Sequence, residues 1–235
     1  MLSVVIPAWN EAENLRRYPS ELFPVLAGLD MAVEVLIVDD GSRDDTAAVA
    51  RSLGPPARLV AHEANKGLAE ALRTGFAEAR GELLVTLDAD LTFAPALIPA
   101  LLARYRAGDA DVVSGSPKLA GYGADIPEYR IVISRLATLI YSTVLGAHIT
   151  AVSPIFRLYR TEDLRGLQLT SKGFDINAEI LFGLIRKGKR VAEIPAPLTQ
   201  RIHGQSSLNY RREMIRHLRL ATKMALWRVG LYARE

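Results

Sequence analysis

Short apolar runs alternate with amphipathic stretches over the first half of the chain. The apolar runs predict buried strands, which lie at residues 3–7, 33–38, 58–61, 83–87 and 111–113. The stretches around them carry apolar residues at helical spacing and predict helices at residues 10–29, 44–53, 66–80 and 95–107. Because strands and helices alternate, we predict an α/β fold with a mostly parallel sheet and helices on both faces.

The pattern changes after residue 115. Residues 115–127 are rich in glycine and proline and predict a loop, whereas residues 130–152 are apolar and predict a helix. The remaining predicted elements are strands at 156–159 and 191–195 and helices at 176–187 and 207–235. Because no repeat and no clean linker interrupts the chain, we predict one domain over residues 1–206, followed by a C-terminal helix over residues 207–235.

Composition and charge narrow the classes of protein to which the chain can belong. Its 235 residues are 49% hydrophobic and 23% charged, which is ordinary for a folded protein. The chain has no cysteine, so disulfides, zinc–thiolate sites and thiol nucleophiles are excluded. The formal net charge of +3 favours anionic partners such as phosphate, diphosphate or acidic lipid.

Neither the N-terminus nor the apolar segments predict a targeting signal or a membrane span. The opening residues MLSVVIPAWNEAEN lack the basic and long apolar regions of a signal peptide. A transmembrane helix needs roughly twenty apolar residues, and the nearest segment, residues 136–152, is interrupted by polar side chains. That segment predicts a buried or interfacial helix. We therefore predict a cytoplasmic protein.

Acidic residues follow two of the predicted strands. Asp88 and Asp90 come directly after residues 83–87, and the sequence Asp39-Asp40-Gly41-Ser42 follows the second strand. Ligands of open parallel sheets bind at the carboxyl ends of the strands, so both clusters should face one crevice. Asp88 and Asp90 alternate along the chain and point to one side, where Mg²⁺ or Mn²⁺ would relieve their repulsion. A solvated loop or a helix cap is the alternative.

Other polar residues follow the first and third strands. After the first strand, Trp9 is suited to stack on a base or ribose, and Glu11 is suited to bind a ring nitrogen or hydroxyl. After the third strand, Lys66 is suited to meet a phosphate, and Gly67 permits close approach of the backbone. Asp40 is suited to accept hydrogen bonds from a ribose or a base edge. An ordinary turn or helix start is the alternative for each of them.

These motifs together resemble those of a known family. The segments PAWNEAENL, VDDGSRDDT, NKGLAEALRTGFAEARGE and LDADL occur in the order and spacing of the family 2 inverting glycosyltransferases, which have the GT-A fold. The later segments FRLYR, EILFGLIRKGKRVAEIPAPLTQR and RIHGQSS resemble the polyprenyl-phosphate branch, which includes the dolichol-phosphate mannose synthases. The resemblance covers nearly the whole chain. It implies a nucleotide-binding half over residues 1–115 and an acceptor half over residues 116–206.

The resemblance implies roles for individual residues. With the strand-end residues above, the predicted nucleotide-binding set is Pro7, Ala8, Trp9, Glu11, Asp39, Asp40, Lys66 and Asp88. Asp88 and Asp90 would bind Mg²⁺ or Mn²⁺ and the diphosphate, and Arg201 would reach the donor diphosphate, which makes Asp90 and Arg201 the predicted catalytic residues. The predicted acceptor-phosphate residues are Arg130, Ser134 and Arg135.

The sequence departs from the branch pattern at four positions. They are Thr92, where glutamine is usual, Pro117, where arginine is usual, Ala151, where aspartate is usual, and Ser207, where lysine is usual. Most of these departures concern the acceptor half and the mannose assignment. The nucleotide base, uracil or guanine, and the sugar stay open.

Two kinds of acceptor need different chemistry. A lipid phosphate is already an anion and needs only cationic positioning, whereas a sugar hydroxyl needs a carboxylate base within hydrogen-bond reach. Asp125, Glu128 and Glu179 are the candidates for such a base, and a structural ion pair is the alternative for Glu179.

Other classes of protein predict different features. A nucleotidyltransferase would show a Gly-rich phosphate loop after the first strand, and the segment PAWNEAEN is not such a loop. A non-catalytic sugar-nucleotide binder docked on a membrane is a hypothesis of another class.

The C-terminal helix has two distinct faces. One face carries Leu220, Met224, Trp227 and Leu231, and another carries Arg212, Arg216, Arg219 and Lys223. A basic amphipathic helix with tryptophan is typical of a membrane-surface element, and a helix packed on its own domain is the alternative. The predicted partners are a nucleotide-sugar, a lipid phosphate and the cytoplasmic face of a membrane, with no nucleic acid.

Overall fold

The computed structural model describes most of the chain: residues 1–121, 138–144, 146, 149–203 and 210–228. Several predicted residues lie outside this part, namely Arg130, Ser134, Arg135, Asp125, Glu128, Ser207 and Leu231, and so does the side chain of Arg212. Their predicted roles stay predictions.

A single sheet forms the centre of the described structure. Its strands are β1 (Leu2–Ala8), β2 (Val33–Asp39), β3 (Ala57–Ala61), β4 (Leu83–Thr86), β5 (Val112–Ser116), β6 (Arg157–Arg160) and β7 (Val191–Pro195). They lie in the order β3-β2-β1-β4-β6-β5-β7. β6 runs antiparallel to β4 and β5, and the other pairings are parallel. The predicted α/β fold with a mostly parallel sheet is confirmed.

Helices follow most of the strands. They are α1 (Ala12–Leu15), α2 (Tyr18–Glu21), α3 (Phe23–Ala27), α4 (Thr46–Ser52), α5 (Leu68–Glu78), α6 (Ile98–Arg106), α7 (Pro117–Ala120), α8 (138–144), α9 (Thr161–Arg165), α10 (Ile176–Arg186) and α11 (Tyr210–Arg228). The helix predicted over residues 10–29 is divided into three, with Pro19 and Pro24 in the first turns of α2 and α3. Proline has no backbone N–H, so it is tolerated there and not farther inside a helix.

The sheet separates two hydrophobic layers. Alternate residues of β1 point to opposite faces, so Val4 and Ile6 belong to one layer and Val5 to the other. The first layer contains side chains of α1–α4 and α6, and the second contains side chains of α5 and α9–α11. Because both faces of the sheet are covered, the inner strands β1, β2 and β4 are mostly apolar, which is the pattern that the sequence shows.

α11 packs against the second layer through the predicted apolar face. Leu220 and Met224 are buried, and the ring of Trp227 contacts Phe182 edge-on at 5.6 Å between centroids. The guanidinium carbon of Arg186 lies 3.5 Å from the centre of the Trp227 ring. This face therefore packs on the domain. The division of the chain at residues 206 and 207 stays a prediction.

No helix in the described part of the chain is long and apolar enough to cross a membrane.

Arg157, the first residue of the inner strand β6, is buried and connects three parts of the structure by hydrogen bonds. The Arg157 side chain is fully buried, and its Nε donates to Ser114 Oγ at 3.1 Å. Its two terminal nitrogens donate to the carbonyl oxygens of Asn177, at 2.7 Å, and Val152, at 2.6 Å. The guanidinium thus joins β5, the first turn of α10 and the segment that precedes β6.

Candidate active site

The turn after β4 orients the two aspartates that were predicted to bind metal. Leu91 has a φ of 57°, a left-handed conformation that reverses the chain immediately after Asp90. The amide of Leu91 donates to the carbonyl oxygen of Asp88 at 3.2 Å, and the amide of Thr92 donates to Asp90 Oδ1 at 3.0 Å. The turn therefore fixes the backbone at Asp88 and the side chain of Asp90.

Two side chains from the region of α1 and α2 hold this turn from behind. The hydroxyl of the fully buried Tyr18 donates to the carbonyl oxygen of Ala89 at 3.0 Å, and Arg17 donates to that of Asp90 at 3.0 Å. The aspartate loop is thus anchored to the first hydrophobic layer, which limits its freedom to move.

The segment after β7 brings Arg201 to Asp90. Leu198 pairs with Phe93, and the amide and hydroxyl of Thr199 donate to the carbonyl oxygen of Thr92 at 2.9 and 3.0 Å. Arg201 Nε then lies 3.1 Å from Asp90 Oδ2. The backbone pairing fixes the approach of the guanidinium to the carboxylate.

Arg201 also joins the loop after β1 to this site. Its Nη2 donates to Glu11 Oε1, and Glu11 Oε2 accepts from Asn14 at 2.5 Å. Asn14 also donates to the carbonyl oxygen of His203 at 3.4 Å. One guanidinium therefore lies between carboxylates that follow β1 and β4, as the carboxyl-end rule for parallel sheets predicts.

Crowding of carboxylates in a partly dehydrated pocket changes their proton affinities. Burial and the neighbouring Asp90 raise the pKa of Asp88 to about 8, against the opposing charge of Arg201. Burial also raises the pKa of Glu11, and its hydrogen bond with Asn14 and the charge of Arg201 oppose the shift. The pocket therefore favours an additional positive charge next to Asp88.

The carboxylates Asp88 and Asp90 fit a divalent cation that takes only part of its ligands from the protein. Within the described ranges there is no group of three or more His, Cys, Asp or Glu side chains that could hold a metal alone. Mg²⁺ commonly takes one or two carboxylates and completes its shell with water and substrate phosphates. The elevated pKa of Asp88 is consistent with a carboxylate whose counter-charge arrives with the substrate.

The aspartates after β2 are buried and bind the protein's own backbone. Asp40 accepts from the amides of Lys66, at 2.9 Å, and Gly67, at 2.7 Å, and its Oδ1 lies 2.7 Å from His62 Nδ1. Asp39 accepts from the amide of Ser42 at 3.0 Å. These carboxylates shape the loops that follow β2 and β3, and their predicted contacts with a nucleotide stay predictions.

His62 is a contributor that the sequence analysis missed. Its side chain lies between Asp40 and Thr74, with Nε2 2.9 Å from Thr74 Oγ1. It therefore connects the end of β3 to α5 and supports the loop that carries Lys66, whose side chain is exposed. The only signal in the sequence was a polar residue directly after a predicted strand.

The loop after β1 presents an aromatic ring at the same edge. Pro7 and Ala8 end the strand, Ala8 is buried, and Trp9 is 38% exposed. Asn10, with a φ of 55°, donates its amide to Ser42 Oγ at 2.9 Å and accepts at its side-chain oxygen from the amide of Arg43 at 2.8 Å. The loops after β1 and β2 are thus braced together, which leaves the Trp9 ring accessible for stacking.

Glu179 has a structural role in the described part of the chain. Its buried carboxylate accepts from the amides of Thr170, at 3.0 Å, and Ser171, at 2.8 Å. It also accepts from the hydroxyl of Thr170 at 2.8 Å. This carboxylate holds the segment before α10, which favours the structural alternative over a catalytic base, although the partners are mainly amides and not an opposite charge.

Pro117 and Ala151, two of the departures from the branch pattern, lie next to hydrogen-bonded side chains. Pro117 begins α7, whose first turn is capped by Ser116 through the amide of Leu119 at 3.4 Å. The amide of Ala151 donates to Glu193 Oε1 at 3.1 Å, and Thr150 Oγ1 lies 2.5 Å from Ser116 Oγ. These contacts join the segment before β6 to the end of β5 and to β7.

Two mannosyltransferases are about one third identical to this chain over the aligned residues. The dolichol-phosphate mannosyltransferase of Pyrococcus furiosus is 34% identical over 226 residues, which cover 92% of this chain and 62% of that protein. The chain therefore spans less than two thirds of the length of that relative. The undecaprenyl-phosphate mannosyltransferase of Micrococcus luteus is 33% identical over 215 residues, which cover 87% of this chain and 86% of that protein.

A solved structure shares the fold. Glucosyl-3-phosphoglycerate synthase from Mycobacterium tuberculosis, in complex with Mn²⁺, UDP and glucosyl-3-phosphoglycerate, superposes with a TM-score of 0.72 at 22% identity. The superposition covers 99% of this chain and 81% of that one, and it identifies the fold as GT-A. The family model described as glycosyl transferase family 2 matches residues 3–167. On these grounds the chain belongs to glycosyl transferase family 2.

Proposed function

We propose that this protein transfers a monosaccharide from a nucleotide-sugar to a polyprenyl phosphate, with inversion at the anomeric carbon. The observation that supports this most strongly is the contact of Arg201 with both Glu11 and Asp90, beside Asp88. The names of the relatives from Pyrococcus furiosus and Micrococcus luteus, which act on dolichol and undecaprenyl phosphates, support the acceptor class.

The chemistry of the donor matches the charges of the site. When the bond from the anomeric carbon to the diphosphate breaks, negative charge develops on the leaving nucleoside diphosphate. Arg201, which contacts Asp90, would meet that charge with its guanidinium, and Asp88 and Asp90 would hold a Mg²⁺ or Mn²⁺ ion that supplies further positive charge. The solved relative contains Mn²⁺ together with UDP, which supports a divalent ion here.

The acceptor requires no proton transfer in this proposal. An oxygen of the lipid phosphate attacks the anomeric carbon from the face opposite the leaving group, and because it is already anionic it needs no base. Glu179 is held by Thr170 and Ser171 and does not serve as one. We assign Arg130, Ser134 and Arg135 to the acceptor phosphate, and Pro7, Ala8, Trp9, Asp39, Asp40 and Lys66 to the nucleotide.

An acceptor comparison tests this proposal. The purified protein is incubated with a labelled nucleotide-sugar, Mn²⁺ and one of three acceptors: undecaprenyl phosphate, undecaprenol or 3-phosphoglycerate. We expect labelled product with undecaprenyl phosphate alone, because undecaprenol presents only a hydroxyl that would have to be deprotonated and 3-phosphoglycerate has no polyprenyl chain. Equal labelling of undecaprenol would contradict the proposed acceptor and favour hydroxyl glycosylation by the same fold, and equal labelling of 3-phosphoglycerate would contradict a lipid acceptor.

We further propose that the protein works at the cytoplasmic face of a membrane as a peripheral protein. The support is chemical, because the proposed polyprenyl phosphate acceptor resides in a bilayer.

A further inference from the structure

A solvent-open cavity lies between α11 and the segment that precedes α10. Its volume is about 570 Å³. Four of its lining residues are cationic, and one is a carboxylate, Asp175. The cations are Lys172, Arg216, Arg219 and Lys223. The cavity is therefore a concentrated basic site outside the pocket of Asp88 and Asp90.

The cavity keeps a net positive charge, because four cations stand against the two carboxylates Asp175 and Glu213. Arg216 donates to Glu213 Oε1 at 2.5 Å, so part of its charge is compensated. Lys223 donates to the hydroxyl of Thr170 at 3.2 Å, and Asp175 is buried and accepts from the amide of Gly173 at 3.0 Å. The side chains of Lys172 and Arg219 are exposed. An anion entering the cavity would meet cations from two elements.

A row of exposed apolar side chains lies directly beside these cations on α11. Met214, Ile215, Leu218 and Leu226 are exposed by 48, 51, 54 and 38%, and we call them the outer stripe. At 100° per residue they fall on one side of the helix, with Arg219 and Lys223 next to them and the buried Leu220 and Met224 beyond.

The outer stripe differs from the apolar face that the sequence analysis singled out. That face, with Leu220, Met224 and Trp227, packs against the domain, and the outer stripe is a second apolar surface on the same helix. Exposed large apolar side chains next to a basic sector match a membrane interface, where acyl chains lie below anionic headgroups. The phosphates of a nucleic acid would pair with the cations, but they would leave the apolar side chains of the outer stripe exposed.

We propose that this surface of α11 docks on an anionic phospholipid bilayer, with a lipid phosphate in the basic cavity and the outer stripe in the acyl region. The proposal rests on the proposed function in one respect, since docking brings a bilayer-resident acceptor to the enzyme. α11 is also tied to the neighbouring segment, because Glu213 accepts from the amide of Phe174 at 2.9 Å. The docking surface therefore belongs to the same rigid framework as α10.

Vesicle co-sedimentation tests the docking surface. Vesicles of phosphatidylcholine with phosphatidylglycerol are compared with vesicles of phosphatidylcholine alone, for the wild type and three variants. We expect the wild type to prefer the anionic vesicles. Arg219→Glu combined with Lys223→Glu, and separately Leu218→Asp, should each weaken binding by more than about tenfold. The charge-matched control, Arg51→Glu on α4 combined with Arg106→Glu at the end of α6, also reverses two exposed cations and should bind like the wild type.

The outcomes separate this inference from the proposed function. Sugar transfer to undecaprenyl phosphate dispersed in detergent is measured in parallel, and the variants should retain it because the substitutions lie outside the donor pocket. A wild type that transfers sugar in detergent but ignores anionic vesicles would overturn the docking surface alone. Equal binding of charge-reversed and wild-type proteins, or no preference for anionic lipid, would also overturn it. Vesicle binding without sugar transfer would overturn the function and leave the surface standing.

Discussion

Replacing Arg201 by alanine should lower kcat for sugar transfer by about 10²–10³-fold, because loss of one preorganised cationic or hydrogen-bonding group at a developing charge typically costs that much. In the structure Arg201 is held between Glu11 and Asp90 by the pairing of Thr199 with Thr92, so it is positioned before the substrate arrives. Steady-state kinetics with a saturating nucleotide-sugar measures the effect.

Two further variants make this prediction specific. Arg201→Lys keeps the charge but loses the planar fork that spans two carboxylates, so we expect partial activity. Arg106→Ala removes an exposed arginine from α6 and should leave kcat unchanged. A folded Arg201→Ala protein with wild-type kcat would show that Arg201 only pairs with Glu11 and Asp90 and takes no part in sugar transfer.

Replacing Arg157 by alanine should lower the free energy of unfolding by about 3–5 kcal/mol, because a large buried side chain is lost and its partners are left without donors. Arg157 is fully buried and donates to Ser114, Asn177 and Val152. Three elements would lose their common donor at once. Urea denaturation followed by circular dichroism measures the change.

A matched control lies on the same strand. Arg160 is 41% exposed at its side chain and makes long ion pairs with Glu82 and Glu162, at 3.6 and 3.5 Å. Such exposed pairs contribute about 0–1 kcal/mol, so Arg160→Ala should be nearly neutral. If Arg157→Ala costs no more than Arg160→Ala, the buried guanidinium does not hold the three elements together.

Most strands could be predicted because they contain short apolar runs, and the inner strands β1, β2 and β4 are mostly buried. The predicted strand at residues 33–38 is β2 (Val33–Asp39), and that at 191–195 is β7 (Val191–Pro195). The direction of β6 could not be predicted, because its position between β4 and β5 depends on the path of the intervening chain and not on its own pattern.

The role of Gly81 depends on distant parts of the chain. The helix that the sequence predicts up to residue 80 ends earlier, at Glu78 of α5, so it does not end at Gly81. Gly81 is required for close packing, since a Cβ at this position would lie 2.6 Å from the amide nitrogen of Ser3. That contact joins distant parts of the chain, which local sequence patterns do not reveal.

The residues of the candidate site could be proposed from the sequence, but the contacts between them could not. The carboxyl-end rule placed Asp88, Asp90 and Glu11 at one edge, and the structure brings Asp90 and Glu11 together through Arg201. The contact of Arg201 with Glu11 spans 190 positions, so no periodicity encodes it. The bonds of Asp40 to the loop after β3 were likewise unpredictable, because they depend on how two loops meet.

The central claim is that Asp88, Asp90 and Arg201 form a metal-assisted binding site for a nucleoside diphosphate sugar. Isothermal titration of GDP, UDP, GDP-mannose and UDP-glucose, each with and without Mn²⁺, tests it on the wild type and on Asp90→Ala. We predict that one nucleoside diphosphate and the corresponding nucleotide-sugar bind in the presence of Mn²⁺, and that this binding is lost in Asp90→Ala. Absence of nucleotide binding with metal present, or equal binding by Asp90→Ala, would contradict the claim.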